Sequence, residues 1–407
     1  MGNREKRYLY FANKALCEVM RKPIFLYSVF QFFFPLYLWL PLFFEFQQKN
    51  GISEANIFQI QSLYYVVFFL LEIPGGIFAD RLGYRKTLFL GMVSSVVSHI
   101  FAIFYPTYLG FLSHFVLLAF ARSLISGTAN AYLYELLKEN NSLELYEEVE
   151  GHARSYGLLG KVVGWAGVGV LFSYRITLPY EISLIFMMIA GGVCLLLPSL
   201  SQRKPLNVRS YSFDSFIREG EFWGLAIQGV ALFTLARIVT VNLFQPFLIF
   251  QKWPTAVHGI VLSGATLLEA FGSHQASRWM ENRDKVLSVG ILSIFASVGT
   301  ILLFYLPKTA SLVLFGFLCF IFGVVFPIQK KLVKDSISHP ESRATFLSVE
   351  SMLDRLGAGL CTGLLSSFIG DSKMVTGIEV VSVGLGGLVL LSTFGMIYQK
   401  RRKSHCV

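Results

Sequence analysis

Twelve stretches of about twenty apolar residues follow one another along this chain, and few folds tolerate that pattern. They lie at 24–45, 57–79, 87–105, 108–136, 153–173, 180–199, 223–250, 258–279, 286–306, 310–329, 344–369 and 376–398. A bilayer core about 30 Å thick is crossed by roughly 20 apolar residues of helix, whereas a barrel strand needs only ~10, with alternating polarity. The stretches are too long for strands and do not alternate. Only 15% of the 407 residues are charged and 54% are hydrophobic, against roughly 25% charged in soluble domains. These observations exclude a disordered chain, a coiled coil and an ordinary cytosolic enzyme. They predict an all-α integral membrane protein with twelve transmembrane helices. The first stretch follows a charged head of 22 residues and has no small-residue cleavage site, so it reads as a span, not a cleaved signal peptide.

Lysine and arginine set the expected orientation. With both termini in the cytoplasm, 26 of the 35 basic residues fall on cytoplasmic segments or span ends. Five fall outside (Lys49, Arg175, Lys252, Lys308 and Lys373), and the other four lie deep in spans. This is the positive-inside pattern of a multi-pass protein of the inner (plasma) membrane. The net charge of +10 is then a topology signal, and no nucleic acid partner is expected. Trp223, Trp253 and Trp279 sit at span ends, as interfacial anchors do. The expected organisation is a cytoplasmic segment 1–22, a six-helix half 23–200, a central cytoplasmic loop 201–222, a second half 223–398 and a basic tail 399–407. The five cysteines are scattered, the histidines have no ligand spacing and no P-loop is present. Neither a metal, a cofactor, an ATP-driven pump nor an enzyme is expected.

The two halves echo each other. Glu72, Ala79 and Arg81 recur as Glu269, Ala276 and Arg278 at a constant offset, and Arg154 at the start of span 5 echoes Arg343 at the start of span 11. Spans 2 and 8, and 5 and 11, are the pairs that a six-plus-six duplication requires. Such repeats are common in secondary transporters, whose sites lie between the repeats.

The loop after span 2 reads Gly76-Ile-Phe-Ala-Asp80-Arg81-Leu-Gly83-Tyr84-Arg85-Lys86. It resembles the signature loop of the major facilitator superfamily, with Tyr84 where arginine is more usual. Gly83 permits a tight turn, Arg85 and Lys86 hold the loop inside, and Asp80 suits a helix N-terminus. The resemblance implies that this loop gates the cytoplasmic side against span 11. Glu72-x-Pro74, Ser126-Gly127-Thr128, Tyr134-Glu135, and Arg343-Ala-Thr345 with Ser348 are similar to the bacterial drug–proton antiporter branch. That branch's glycine–proline motif on span 5 is not intact. Gly157, Gly160, Gly164, Gly167 and Gly169 are present, but no proline follows a glycine.

Ionisable groups deep in a membrane cost at least ~2.5 kcal/mol by insertion scales, so they should face protein or water. Here they are Glu72, Arg122, Lys161, Arg237, Glu269, Glu350, Asp354 and Arg355. The resemblance implies that spans 1, 4, 7 and 10 line a cavity and that spans 2, 5, 8 and 11 form the seam between halves. On that plan Lys161 pairs with Glu269 and Glu72 with Arg355, while Glu350 and Asp354 share one face of span 11. Such pairs either neutralise buried charge statically or couple protons, since a desolvated carboxylate titrates near neutral pH. Glu269 and Asp354 are the leading coupling candidates. Arg122 and Arg237 would line the cavity from opposite halves and suit a carboxylate or phosphate. Alternatively Arg122 forms a structural pair with Glu350 or Asp354. Tyr27, Tyr37, Trp39 and Phe244 would contact an amphipathic solute.

The expectation is therefore a monomeric secondary transporter, working among membrane lipids by alternating access and exporting a small amphipathic solute against protons. A carrier for an organic anion held by Arg122 and Arg237 remains open. So does a non-transporting sensor or scaffold with a transporter-like fold.

Overall fold

The computed structural model describes residues 20–200, 220–281, 283–337, 343–371 and 373–405. The expected cytoplasmic head before residue 20, the central segment 201–219 and the end of the basic tail lie outside these residues. The described chain is almost wholly helical, and ten of its helices are long and apolar enough to cross a membrane. The other two expected spans are present, and each escapes that criterion for a physical reason.

Span 1 is in pieces. α1 covers 20–33, the backbone leaves the helix from 34 to 39, a single 3-10 turn follows at Leu40–Leu42, and α2 is Phe43–Lys49. Pro35 and Pro41 bracket the break. Each lacks an N–H and clashes with the preceding turn. A freed backbone group inside a membrane needs a partner, and the Leu38 N–H finds one in Ser183 Oγ at 2.9 Å. Span 11 is a continuous helix, but its charges lower its hydropathy.

The remaining spans follow in order. α3 is Glu54–Leu82, α4 Tyr84–Phe104, α5 Tyr108–Ser126, α6 Thr128–Glu139, α7 Tyr146–Tyr174 and α8 Leu178–Leu196. After the central segment come α9, Gly220–Arg237, and α10, Phe244–Phe250. These two are joined by a π-turn over Ile238–Asn242, closed by the Leu243 N–H on Ile238 O at 2.7 Å. Then come α11 Thr255–Trp279, α12 Lys285–Leu302, α13 Lys308–Asp335, α14 Arg343–Gly370 and α15 Met374–His405. The span expected at 108–136 is thus α5 and α6 together, and the span expected at 223–250 is divided by the π-turn.

The chain forms two compact units. The first gathers the described parts of 1–40, 70–164 and 174–206; the second gathers those of 41–69, 165–173 and 207–407. In the first, α4 packs chiefly on α5 and α8. In the second, α11 packs on α13 and α12 on α15. Within the second unit, residues 41–69 are joined to later helices by hydrogen bonds. Phe44 N–H donates to Gln245 Oε1 at 2.6 Å, and Thr255 Oγ1 to Glu45 Oε1 at 2.6 Å.

Candidate functional site: a charged cavity in the second unit

α9, the π-turn, α11, α13 and α14 enclose a cavity of about 610 Å³. Its apolar wall includes Phe233, Val241, Phe322, Phe326 and Leu347. Its charged wall comprises Arg237, Lys330 and Lys334 against Glu269, Glu350 and Asp354. The volume lies within the usual 300–1,000 Å³ of small-molecule sites, and a mostly apolar lining with a few placed polar groups is their usual composition.

Glu350 and Asp354 are one helical turn apart on α14, which brings both to the same face. They are 5% and 6% exposed. Arg237, at the end of α9, donates from Nη2 to Asp354 Oδ2. The π-turn begins immediately after Arg237. One extra residue in a helical turn re-aims the side chains around it, and such turns collect at functional sites.

Glu350 has a different environment. Its Oε1 is buried and has no hydrogen-bond partner among the described residues. The space it occupies exists because residue 229 is glycine. A Cβ there would lie 3.0 Å from Glu350 Oε1 and 3.1 Å from Gln329 Nε2. Gln329 Nε2 donates to Leu225 O at 2.7 Å, and its Oε1 is buried without a partner among the described residues. The cavity wall therefore combines an ion pair, in which Asp354 Oδ1 and Arg237 Nε lack hydrogen-bond partners among the described residues, with a second carboxylate whose Oε1 lacks one too. An unsatisfied buried acceptor costs about 1–3 kcal/mol or more when charged, so Glu350 is held at a cost that a proton or a solute donor would relieve.

The other expected residues are placed as follows. Glu269 lines the same cavity from α11. Arg355 rests on the Phe68 ring, its Cζ 3.9 Å from the centroid. Arg122, half-buried in the first unit, lies over Tyr37 with its Cζ 5.5 Å from that centroid. Lys161 and Glu72 are half-buried, also in the first unit. Trp39 and Phe244 are not in the cavity wall. Phe244 is buried against Phe315, and Trp39 is buried in an aromatic cluster with His99, His114 and Tyr180. Tyr27 donates to Glu150 Oε2 at 2.6 Å, and Glu150 also holds Arg154 Nε at 2.5 Å.

The signature loop is a one-residue turn between α3 and α4. Gly83 has φ +83°, a conformation that other residues adopt at a cost. Its carbonyl accepts from Thr87 Oγ1 at 3.0 Å. Gly76 lies inside α3, Asp80, Arg81 and Lys86 are exposed, and Arg85 is half-buried.

Sequence reasoning overlooked several neutral groups near the site. Tyr65 OH donates to Asn242 Oδ1 at 3.2 Å, and Asn242 Nδ2 donates to Gln61 Oε1. Both Asn242 and Gln61 are buried. Lys330 and Lys334 were legible only as topology signals. Their spacing of four places them on one face of α13, and that spacing was the signal available.

A family model for the Major Facilitator Superfamily matches residues 24–360. No curated protein sequence matches the chain. Solved structures do. The nucleoside transporter NupG aligns with a TM-score of 0.73 at 16% identity, over 92% of this chain and 98% of that one. A POT family transporter in complex with 5-aminolevulinic acid aligns with a TM-score of 0.72 at 15% identity, over 91% and 94%. A bacterial homolog of the human lysosomal transporter Spinster, inward-facing and occupied, gives 0.66 at 15% identity, over 94% and 96%. At such identities the likeness is one of fold.

Proposed function

The chain belongs to the Major Facilitator Superfamily and is a secondary transporter of small molecules, not an enzyme, and from that premise we propose that it exports an amphipathic organic solute in exchange for protons. The observation that carries the proposal is Glu350, a buried carboxylate in the cavity wall whose Oε1 lacks a partner among the described residues. A proton on Glu350 removes the charge from a carboxylate that shares the wall with Lys330 and whose Oε1 has no hydrogen-bond partner among the described residues. A solute that donates to it supplies that partner, so the two compete for one group. The Arg237–Asp354 pair beside it is the element whose strength responds when charge in the cavity changes. The apolar wall of Phe233, Phe322 and Phe326 suits the hydrophobic part of the solute. The proposal includes alternating access, both termini in the cytoplasm of a plasma-membrane protein, and action as a monomer. It also assigns gating to the loop from Gly76 to Lys86, and it places the chain near the drug–proton antiporter branch.

The organic-anion reading has one observation in its favour, the pair Lys330 and Lys334 in the same wall. Arg237 serves it less well than the sequence suggested, because Asp354 already occupies that guanidinium.

The test begins with a thermal-stability screen of lipophilic cations, organic anions and neutral sugars, since a solute that prefers the native state raises apparent stability by mass action. Flux of the stabilising solute is then followed in liposomes. An imposed proton gradient should drive it, and a protonophore should abolish the drive. Flux indifferent to the gradient overturns the coupling. Stabilisation by anions alone, lost in Lys330→Ala, would replace the leading reading with the anion carrier.

A further inference from the structure

Two arginines on different spans of the second unit rest on aromatic rings of one helix. Arg237 Cζ is 5.6 Å from the centroid of Tyr65, and Arg355 Cζ is 3.9 Å from that of Phe68. Tyr65 and Phe68 are three residues apart on α3, so they share a face. Gln61, four residues before Tyr65, extends that face to Asn242 in the π-turn, and the Tyr65 hydroxyl bonds the same asparagine. The remainder of this α3 segment runs along α14. Ser62 Oγ donates to Gly359 O at 2.7 Å, and Ser366 Oγ to Ala55 O at 2.8 Å. Residues 55–68 thus make one continuous closure against the two helices that carry Arg237 and Asp354.

We propose that Tyr65 is a positioning residue that ties this closure to the charge state of the cavity. Its ring and the Asp354 carboxylate share one guanidinium. Where the carboxylate is ionised it takes most of the electrostatic attraction, and the ring takes the rest. When the carboxylate loses its charge, the ring keeps its contact with a partly desolvated cation whose other acidic neighbours in the cavity wall are Glu269 and Glu350, and its share of the attraction grows as water is excluded. The closure therefore tightens when Asp354 is neutralised and loosens when it is charged. The Tyr65 hydroxyl also bonds Asn242, but the ring carries the coupling. This inference rests on the alternating-access reading, in which residues 55–68 must separate from α14 once in each cycle.

The test reads closure without substrate or transport. In a full-length chain with its own cysteines replaced, Ala55→Cys and Ser366→Cys are cross-linked in membranes with a short bismaleimide, and the rate is measured. Tyr65→Leu should lower the rate about fivefold, the size of a typical cation–π contribution. Tyr65→Phe, which keeps the ring, should stay within about twofold of the parent. Asp354→Asn should raise the rate in the parent but not in Tyr65→Leu. Tyr65→Met gives the same comparison should the leucine variant fail to fold. Equal rates in Tyr65→Leu and the parent overturn the proposal, as does an Asp354→Asn increase that persists without the ring. A protein that cross-links as expected yet moves no solute leaves the positioning role standing and refutes the transport reading.

Discussion

Each unit buries a polar cluster beside a broken span, but the two clusters differ in kind. In the first unit the break at Pro35 delivers Trp39 into a dense group of rings. Its Nε1 donates to His99 Nε2 at 2.9 Å, and its indole stacks on Tyr180 at 5.2 Å between centroids. His99 and His114 contact backbone carbonyls of Ser95 and Ser98 through Nδ1 at 2.7 and 2.9 Å. These groups pack on one another and link spans 1, 3, 4 and 6. In the second unit the π-turn delivers Arg237 to a cavity walled by six ionisable side chains. Burial of polar groups marks both places. The second adds a charged cavity and a carboxylate oxygen without a partner among the described residues, the combination on which the proposed transport site rests.

Breaking the Arg237–Asp354 pair should have the largest effect. Arg237→Gln and Asp354→Asn are each expected to lower uptake about a hundredfold, and the double variant should be no worse than either single one. The coupling in such a cycle should be about 2.7 kcal/mol, below the 3–5 kcal/mol lost from a fully buried pair, because the Arg237 side chain is 33% exposed. Gly229→Ala comes next. The new methyl would press on Glu350 and Gln329, both flexible side-chain ends, so the fold should survive and uptake should fall about tenfold, equivalent to ~1.4 kcal/mol. Trp39→Phe should have the smallest effect on transport. It leaves His99 Nε2 without its donor, so thermal unfolding should show a loss of about 1–3 kcal/mol, with uptake per folded molecule within about twofold of the parent. A transport defect from Trp39→Phe as large as that from Asp354→Asn would erase the distinction between the clusters.

Much of this was legible in the chain. Apolar length alone located the spans, but span 1 was read as unbroken, and only the fold shows the break beside Pro35 and Pro41. The deep charges Arg237, Glu269, Glu350 and Asp354 stood out because hydrocarbon penalises charge. Their partners were harder to read. Arg237 and Asp354 are 117 residues apart, and no local pattern links them. Arg355 rests on Phe68, a contact that could not be read in advance because an aromatic face also accommodates a cation and sequence offers no sign of which phenylalanine will be near. Tyr65, Asn242, Gln61 and Gln329 were passed over for the converse reason. Neutral polar side chains scarcely disturb hydropathy, so only the fold reveals that they meet. The π-turn has no proline or glycine of its own over Ile238–Asn242 and left no trace in the sequence. Trp39 and Phe244 were expected to contact solute on the strength of their chemistry, and both are almost fully buried in this structure.

The most direct measurement of the central claim compares Glu350→Gln with the parent in liposomes, using proton-driven flux and solute counterflow on the same preparation. If Glu350 is the group that proton and solute share, the amide variant should lose the response to a proton gradient while still exchanging solute for solute. If the variant follows the proton gradient as the parent does, Glu350 does not couple the two, and the account of this cavity is wrong.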